Sequence, residues 1–174
     1  MQSGKRISIG LVEESDHPDV IETFGRLPKI HNIHRILANS PTLFARFTGF
    51  AHALRFDTKI DPADRELAIL CVLDLHGGEY EAAYHRVYSQ TFGLSEEQVM
   101  NVTRSEEVTC YDGRQRAVLR FAERFAAAPA ERDRLPDSGI EQYYDDRERL
   151  ELALTLTLYL GLAHFTGVIE VPAD

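Results

Sequence analysis

Three residues near the middle of the chain have the types and spacing of a proton-transfer site. Glu66 is followed at i+3, i+4 and i+7 by Ile69, Leu70 and Leu73, so on a helix its carboxyl group lies along an apolar face. A carboxylate in that position has to be paired or neutralised, because burying it alone is costly. Further on, Glu81 and His85 stand at i and i+4, which puts them on one helix face, with Tyr88 close to one turn beyond. Two readings of this pattern are open. In the first, Glu81 and His85 are an exposed helical pair worth ~0.3 kcal/mol and Glu66 caps something locally. In the second, a turn at Gly77-Gly78 folds one helix back along the other and brings Glu66 against His85. A buried carboxylate beside an imidazole is a proton-transfer pair.

The elements that have to position these groups are helices, since strand signals are nearly absent after Val12. Ser40-Pro41 is an N-cap with proline at the first helical position. It opens a helix to about Phe56, with Leu43, Phe44, Phe47, Phe50, Ala51 and Leu54 at helical spacing. Asp61-Pro62 repeats the start signal for a helix to about His76, stopped by Gly77-Gly78. From Leu67 to Leu73 this helix is apolar on every side, the mark of an enclosed, central element. A third helix runs from about Glu79 to Phe92, and Ser95-Glu96-Glu97-Gln98 is a capping box for a short fourth. Tyr111 to about Ala127 is amphipathic, Arg132 to Ser138 reads as loop, and a last helix starts near Asp145 or Asp146. That helix carries leucine at 150, 152, 154, 156, 158 and 160, too dense for a one-sided stripe, and is expected to be central as well. The expectation is an all-α helical bundle of about six to eight helices in one domain.

Composition narrows the classes of function. With 174 residues the chain suits one compact domain. Its formal net charge of −9 repels phosphate backbones and anionic membrane faces, so no nucleic-acid or membrane partner is expected. At 44% hydrophobic and 27% charged it reads as a soluble globular protein. Only a short apolar stretch, Ile7 to Val12, precedes Glu13-Glu14, so no secretory signal is expected. The run from Leu150 to Val168 is broken by Glu151, His164, threonines and two glycines, which favours a buried helix over a membrane span. The two cysteines, Cys71 and Cys110, sit in unrelated contexts and fit a reducing cytoplasm.

Several stretches together resemble the carboxymuconolactone decarboxylase and alkylhydroperoxidase D-like family. They are Leu27-Pro28, Asn39-Ser40-Pro41, Asp61-Pro62 through Arg65-Glu66-Leu67, Gly78-Glu79-Tyr80-Glu81-Ala82-Ala83-Tyr84-His85, and Gly93-Leu94-Ser95-Glu96-Glu97. The resemblance divides the chain into an N-terminal extension, 1–24, and a helical domain of that family, 25–174. It implies an alkylhydroperoxidase D-like helical bundle that assembles with copies of itself, as a homotrimer or hexamer. In the hydroperoxidase branch the motif is glutamate, eleven residues, cysteine, two residues, cysteine, three residues, histidine. Glu66 and His85 fit it, but Gly78 and Glu81 stand where the two cysteines belong. A thiol cycle needs one cysteine to be oxidised and a second to resolve it. The decarboxylase branch is similar to Tyr80-Glu81-Ala82-Ala83-Tyr84-His85, which the chain keeps. In the last helix many members carry an arginine five residues after a tyrosine, whereas here Tyr159 is followed by His164.

The resemblance therefore implies a cofactor-independent lyase, a decarboxylase of a small organic acid working by acid-base catalysis. His85 is the expected acid or base, Glu66 orients its imidazole, and Glu81 is a second carboxylate. Tyr88, His164 and Arg55 are expected to contact the substrate. Two alternatives remain: peroxidase activity of the wider family, and an oligomeric binding protein without catalysis. No metal is expected. His31, His34 and His52 lack a carboxylate at matching spacing, and Glu66, Glu81 and His85 as an iron, manganese or zinc site is the lesser reading. His17 lies in a charged stretch and is read as solvated.

Overall fold

A computed structural model describes residues 6–174. Residues 1–5 of the expected extension lie outside the described residues. In chain order the elements are β1 (Ile7–Ser8), α1 (Pro18–Arg26), α2 (Asn32–Leu37), α3 (Pro41–Phe56), α4 (Pro62–His76), α5 (Glu79–Gln90), α6 (Glu96–Met100), α7 (Gly113–Ala126), α8 (Pro129–Arg132), a 3-10 turn at Ile140–Gln142, α9 (Asp146–Val168) and β2 (Ile169–Glu170). The protein is all-α, as the helix punctuation requires. Among the described residues there are nine helices, including the one-turn α8. The chain falls into two compact units, one running up to Asp57 and including Thr166–Asp174, the other Thr58–Phe165.

In the first unit α1 packs on α3 through Phe24 and Phe44, whose rings meet edge-on at 5.4 Å. Val20, Ala38 and Phe44 are buried in one cluster, with Val12, Phe24, Leu27 and Leu37 against it. The boundary anticipated after residue 24 thus falls inside a packed helix. The exposed His17 caps α1, its Nδ1 accepting from the Asp19 N–H at 3.2 Å. Ile7 and Ser8 pair in parallel with Ile169 and Glu170. Asp174 accepts from the Asn32 N–H at 2.6 Å and pairs with His31 Nδ1 at 2.5 Å. On α3 only Phe44 and Leu54 are buried, whereas Leu43 and Phe50 face outward.

The second unit is organised around α4. Asp61 caps it by accepting from the N–H groups of Ala63 and Asp64, and Pro62 takes the first helical position. Every residue from Asp64 to Leu73 is buried, so the enclosed helix inferred from Leu67–Leu73 extends back through three charged positions. Gly77 ends the helix in the left-handed conformation, at φ 68°, and α5 then returns along α4. At Gly78 an added Cβ would lie 2.6 Å from Leu73 Cδ2 and 3.0 Å from Ala163 Cβ, so the turn closes against both α4 and α9. Arg86 of α5 pairs with Asp74 of α4 across the hairpin.

α9 corrects one expectation. Leucines at every second residue step about 200° around a helix, so they cannot all share one environment. Leu152 and Leu156 are fully buried, while Leu150 is 60% and Leu154 is 40% exposed. By length and composition α9 is a helix that could cross a membrane, with 39% of its most apolar window buried.

The close approach at Gly78 makes a direct prediction. Gly78→Ala should destabilise the protein by ~1–3 kcal/mol in urea unfolding, the cost of forcing a methyl group into a packed turn. An unchanged midpoint would show that the turn has room to spare.

Candidate functional site

The helix start at Asp61-Pro62 places Glu66 in the second turn of α4, and the Gly77-Gly78 turn brings α5 back alongside it. The second of the two readings of the sequence is the one observed. Glu66 Oε2 and His85 Nδ1 are 2.5 Å apart, with both side chains buried. Glu66 Oε1 faces the guanidinium of Arg65 at 3.4 Å, and Arg65 is itself 3% exposed. A carboxylate flanked by a guanidinium accepts, so the His85 Nδ1–H donates to it. That leaves Nε2 as the ring atom with which the imidazole can give or take a proton.

Aromatic rings enclose the imidazole. Tyr159 of α9 stands edge-on to it, with centroids 4.8 Å apart and planes at 88°. Tyr84 approaches at 5.3 Å and 87°, and Tyr88 at 6.5 Å and 83°. Tyr84 and Tyr88 stack on each other at 5.4 Å, and Tyr88 meets Phe92 edge-on at 4.9 Å. Tyr84 is 38% exposed and Tyr88 half-buried, so this row leads from the surface to His85.

The other expected site residues are distributed differently. Glu81 lies half-buried in the first turn of α5, and the carboxylate bonded to His85 is Glu66. His164 is exposed and forms a ring pair with His76 at 5.5 Å, and His76 Nε2 in turn donates to the Ala126 carbonyl at 3.1 Å. Arg55 belongs to the first unit, near the end of α3, its guanidinium 5.4 Å from the Phe56 ring. His31 and His34 do meet, at 5.6 Å, but in a cap: His34 Nδ1 accepts from the His31 N–H at 3.0 Å. Burial, then the neighbouring His31, pulls His34 down to about 4, which keeps that nitrogen free to accept. His52 lies against Phe56 at 4.7 Å. Among the described residues no group of three His, Cys, Asp or Glu side chains is placed to hold a metal ion.

Both cysteines are free thiols. Burial pushes the Cys71 thiol far up, with Glu123 and Asp74 adding to the effect, and Cys110 is also raised, chiefly by desolvation. Neither is set up as a thiolate.

A second polar cluster was missed by sequence reasoning. Asp64, fully buried, accepts from the Tyr144 hydroxyl and faces Arg114 Nε at 3.1 Å, while its Oδ1 is buried without a hydrogen-bond partner. Burial raises its carboxyl group above the ordinary range, against the opposing pull of Tyr144 and Arg114. Tyr144 is 80 residues away in sequence, so no local pattern links the two.

Residues 41–124 match the model of the Carboxymuconolactone decarboxylase family. That stretch includes Arg65, Glu66, Glu81, His85 and Tyr88. No curated protein matches the chain.

Asp64 supplies a pH-dependent test. Its protonated form suits the folded protein better than the ionised one. Its stabilising contribution is therefore complete below the ordinary value of 3.8 and declines as pH rises through the raised value. Asp64→Asn, which keeps an oxygen for Tyr144, should gain stability relative to the parent as pH is raised from about 3 to 7 in denaturant titrations. A gap that narrows or reverses over that interval would show that Asp64 is held ionised.

Proposed function

We propose that the chain is a cofactor-independent acid-base lyase that decarboxylates a small organic acid at His85. The buried Glu66–His85 bond is the observation that carries this reading. A β-keto or vinylogous acid loses carbon dioxide when the bond to its carboxylate breaks and the electron pair moves onto the carbonyl oxygen. The enolate so formed collapses as a proton is delivered to carbon. His85 Nε2, bare at rest, takes up a proton from solvent as the acid binds and then gives that proton to carbon, while Glu66 holds the ring and supports the positive charge that the imidazole carries in between. The surrounding tyrosines limit water around the departing carboxylate.

The local structure speaks against the thiol chemistry of relatives. Gly78 occupies one of the two cysteine positions of that motif, and a Cβ there would meet Leu73 and Ala163. Glu81 occupies the other, and the protein's own thiols stand high. Self-association belongs to the same reading: Val87, Leu150 and Leu154 are exposed apolar side chains on α5 and α9 of the kind that copies of a chain bury against one another. A cytoplasmic location fits the scattered, reduced cysteines.

The test is turnover of a panel of β-keto and vinylogous acids, followed by carbon dioxide release and by deuterium uptake at the product carbon in heavy water. His85→Ala should lose on the order of 100-fold or more, the usual worth of a positioned acid or base. Glu66→Gln should lose roughly tenfold or more while still binding the acid. Full turnover by His85→Ala on an acid the parent consumes would refute the role given to His85. If the parent binds these acids and turns none over, the binding-protein alternative takes its place.

A further inference from the structure

Three consecutive charged residues, Asp64, Arg65 and Glu66, are buried at the start of α4, at 0%, 3% and 0% exposure. Asp64 is met by Tyr144 and Arg114. Arg65 touches no reacting atom in the chemistry proposed for His85. Its guanidinium faces Glu66 Oε1 at 3.4 Å, on the carboxyl oxygen opposite the one that holds His85, and lies 6.0 Å from the centre of the Phe92 ring. Arg65, Glu66 and His85 therefore form one buried row, in which the carboxylate is shared between a permanent cation and an imidazole.

Charge counting shows what the cation does. With Arg65 present and the imidazole neutral, the row carries no net charge, because guanidinium and carboxylate cancel. Without Arg65 the same row is a buried anion with a single N–H donor, an arrangement that is strongly disfavoured. The row then relieves itself by taking one proton from solvent. That proton ends either on Glu66, which turns the imidazole over to its Nε2–H form, or on the imidazole, which becomes imidazolium. In both cases Nε2 ceases to be a bare lone pair.

We propose that Arg65 is a positioning residue that acts through Glu66 to keep the resting His85 protonated at Nδ1 and open at Nε2. The inference rests on the acid-base reading of the site and adds to it the group that fixes which ring nitrogen exchanges the proton. A guanidinium is suited to this because it stays charged when buried. Its adjacency in sequence to Glu66 ties the two to one turn of α4.

The experiment is nitrogen-15 NMR of histidine-labelled protein at about pH 8, above the ordinary imidazole range. Seven histidines are present, and His85 is assigned by its disappearance in His85→Gln. The parent should show Nδ1 protonated and Nε2 bare. In Arg65→Gln at least half of the His85 population should carry a proton on Nε2, and Arg65→Lys, which keeps the charge, should restore the parent pattern. A role confined to packing moves neither nitrogen in a folded variant. A folded Arg65→Gln with Nε2 still bare overturns the proposal, as does a parent that already carries the proton on Nε2. If Arg65→Gln does not fold, Arg65→Met, which keeps an apolar stem and removes the charge, takes its place: a proton on Nε2 supports the proposal, and a bare Nε2 in the folded variant overturns it. No substrate is needed, so failure here leaves the turnover test of His85 standing, and loss of the turnover reading leaves this one measurable.

Discussion

The bond between Glu66 and His85 is the constraint on which the second unit is arranged. A carboxylate in a fully buried turn of an apolar helix is tolerable only if something polar and well placed meets it, and that partner comes from the next helix. This demand fixes the hairpin. α4 must stop where Gly77 can turn the chain, α5 must return close enough for an imidazole to reach the carboxylate, and Gly78 must be bare where the turn closes on Leu73 and Ala163. Tyr159 of α9 then meets the imidazole edge-on at 4.8 Å. Chemistry and packing are thus met by the same few residues.

The first turns of α4 hold more charge than a buried segment ordinarily carries. The helix start helps, since free N–H groups and the positive end of the helix dipole favour the carboxylates of Asp61 and Asp64. The rest of the compensation is specific. Arg114 and Tyr144 reach Asp64 from α7 and from the segment before α9, and Arg65 reaches Glu66 from the adjacent position. Such networks are worth little in net stability compared with an apolar replacement, but removing one member leaves an uncompensated charge behind.

Much of this was legible in the sequence because the signals are local. Asp61-Pro62, the glycine pair at 77–78 and the capping box from Ser95 set helix limits through short-range hydrogen bonds, and the structure keeps all three. Glu66 and His85 could be paired because the turn between them is short and the two flanking helices are well marked. Tyr159 and Tyr144 were not legible as partners, since their contacts span 74 and 80 residues and depend on how α9 and the segment before it pack. Glu81 was legible only as a position one turn before His85, which spacing alone cannot convert into contact. His164 was placed by analogy with a cationic position, and the structure turns it to His76 instead. The leucines of α9 misled for a geometric reason: alternation every second residue describes two faces of a helix, one of which is outward here.

The central claim is that Glu66 and His85 act as one coupled, buried unit. A double-mutant cycle of Glu66→Gln and His85→Asn, read by urea unfolding, measures that coupling without reference to any substrate. A coupling energy of about 2 kcal/mol or more is the result the account predicts for a buried, charge-assisted hydrogen bond. Single losses that add to within about 0.5 kcal/mol would contradict it, because independent side chains cannot form the proton-transfer pair on which the function rests.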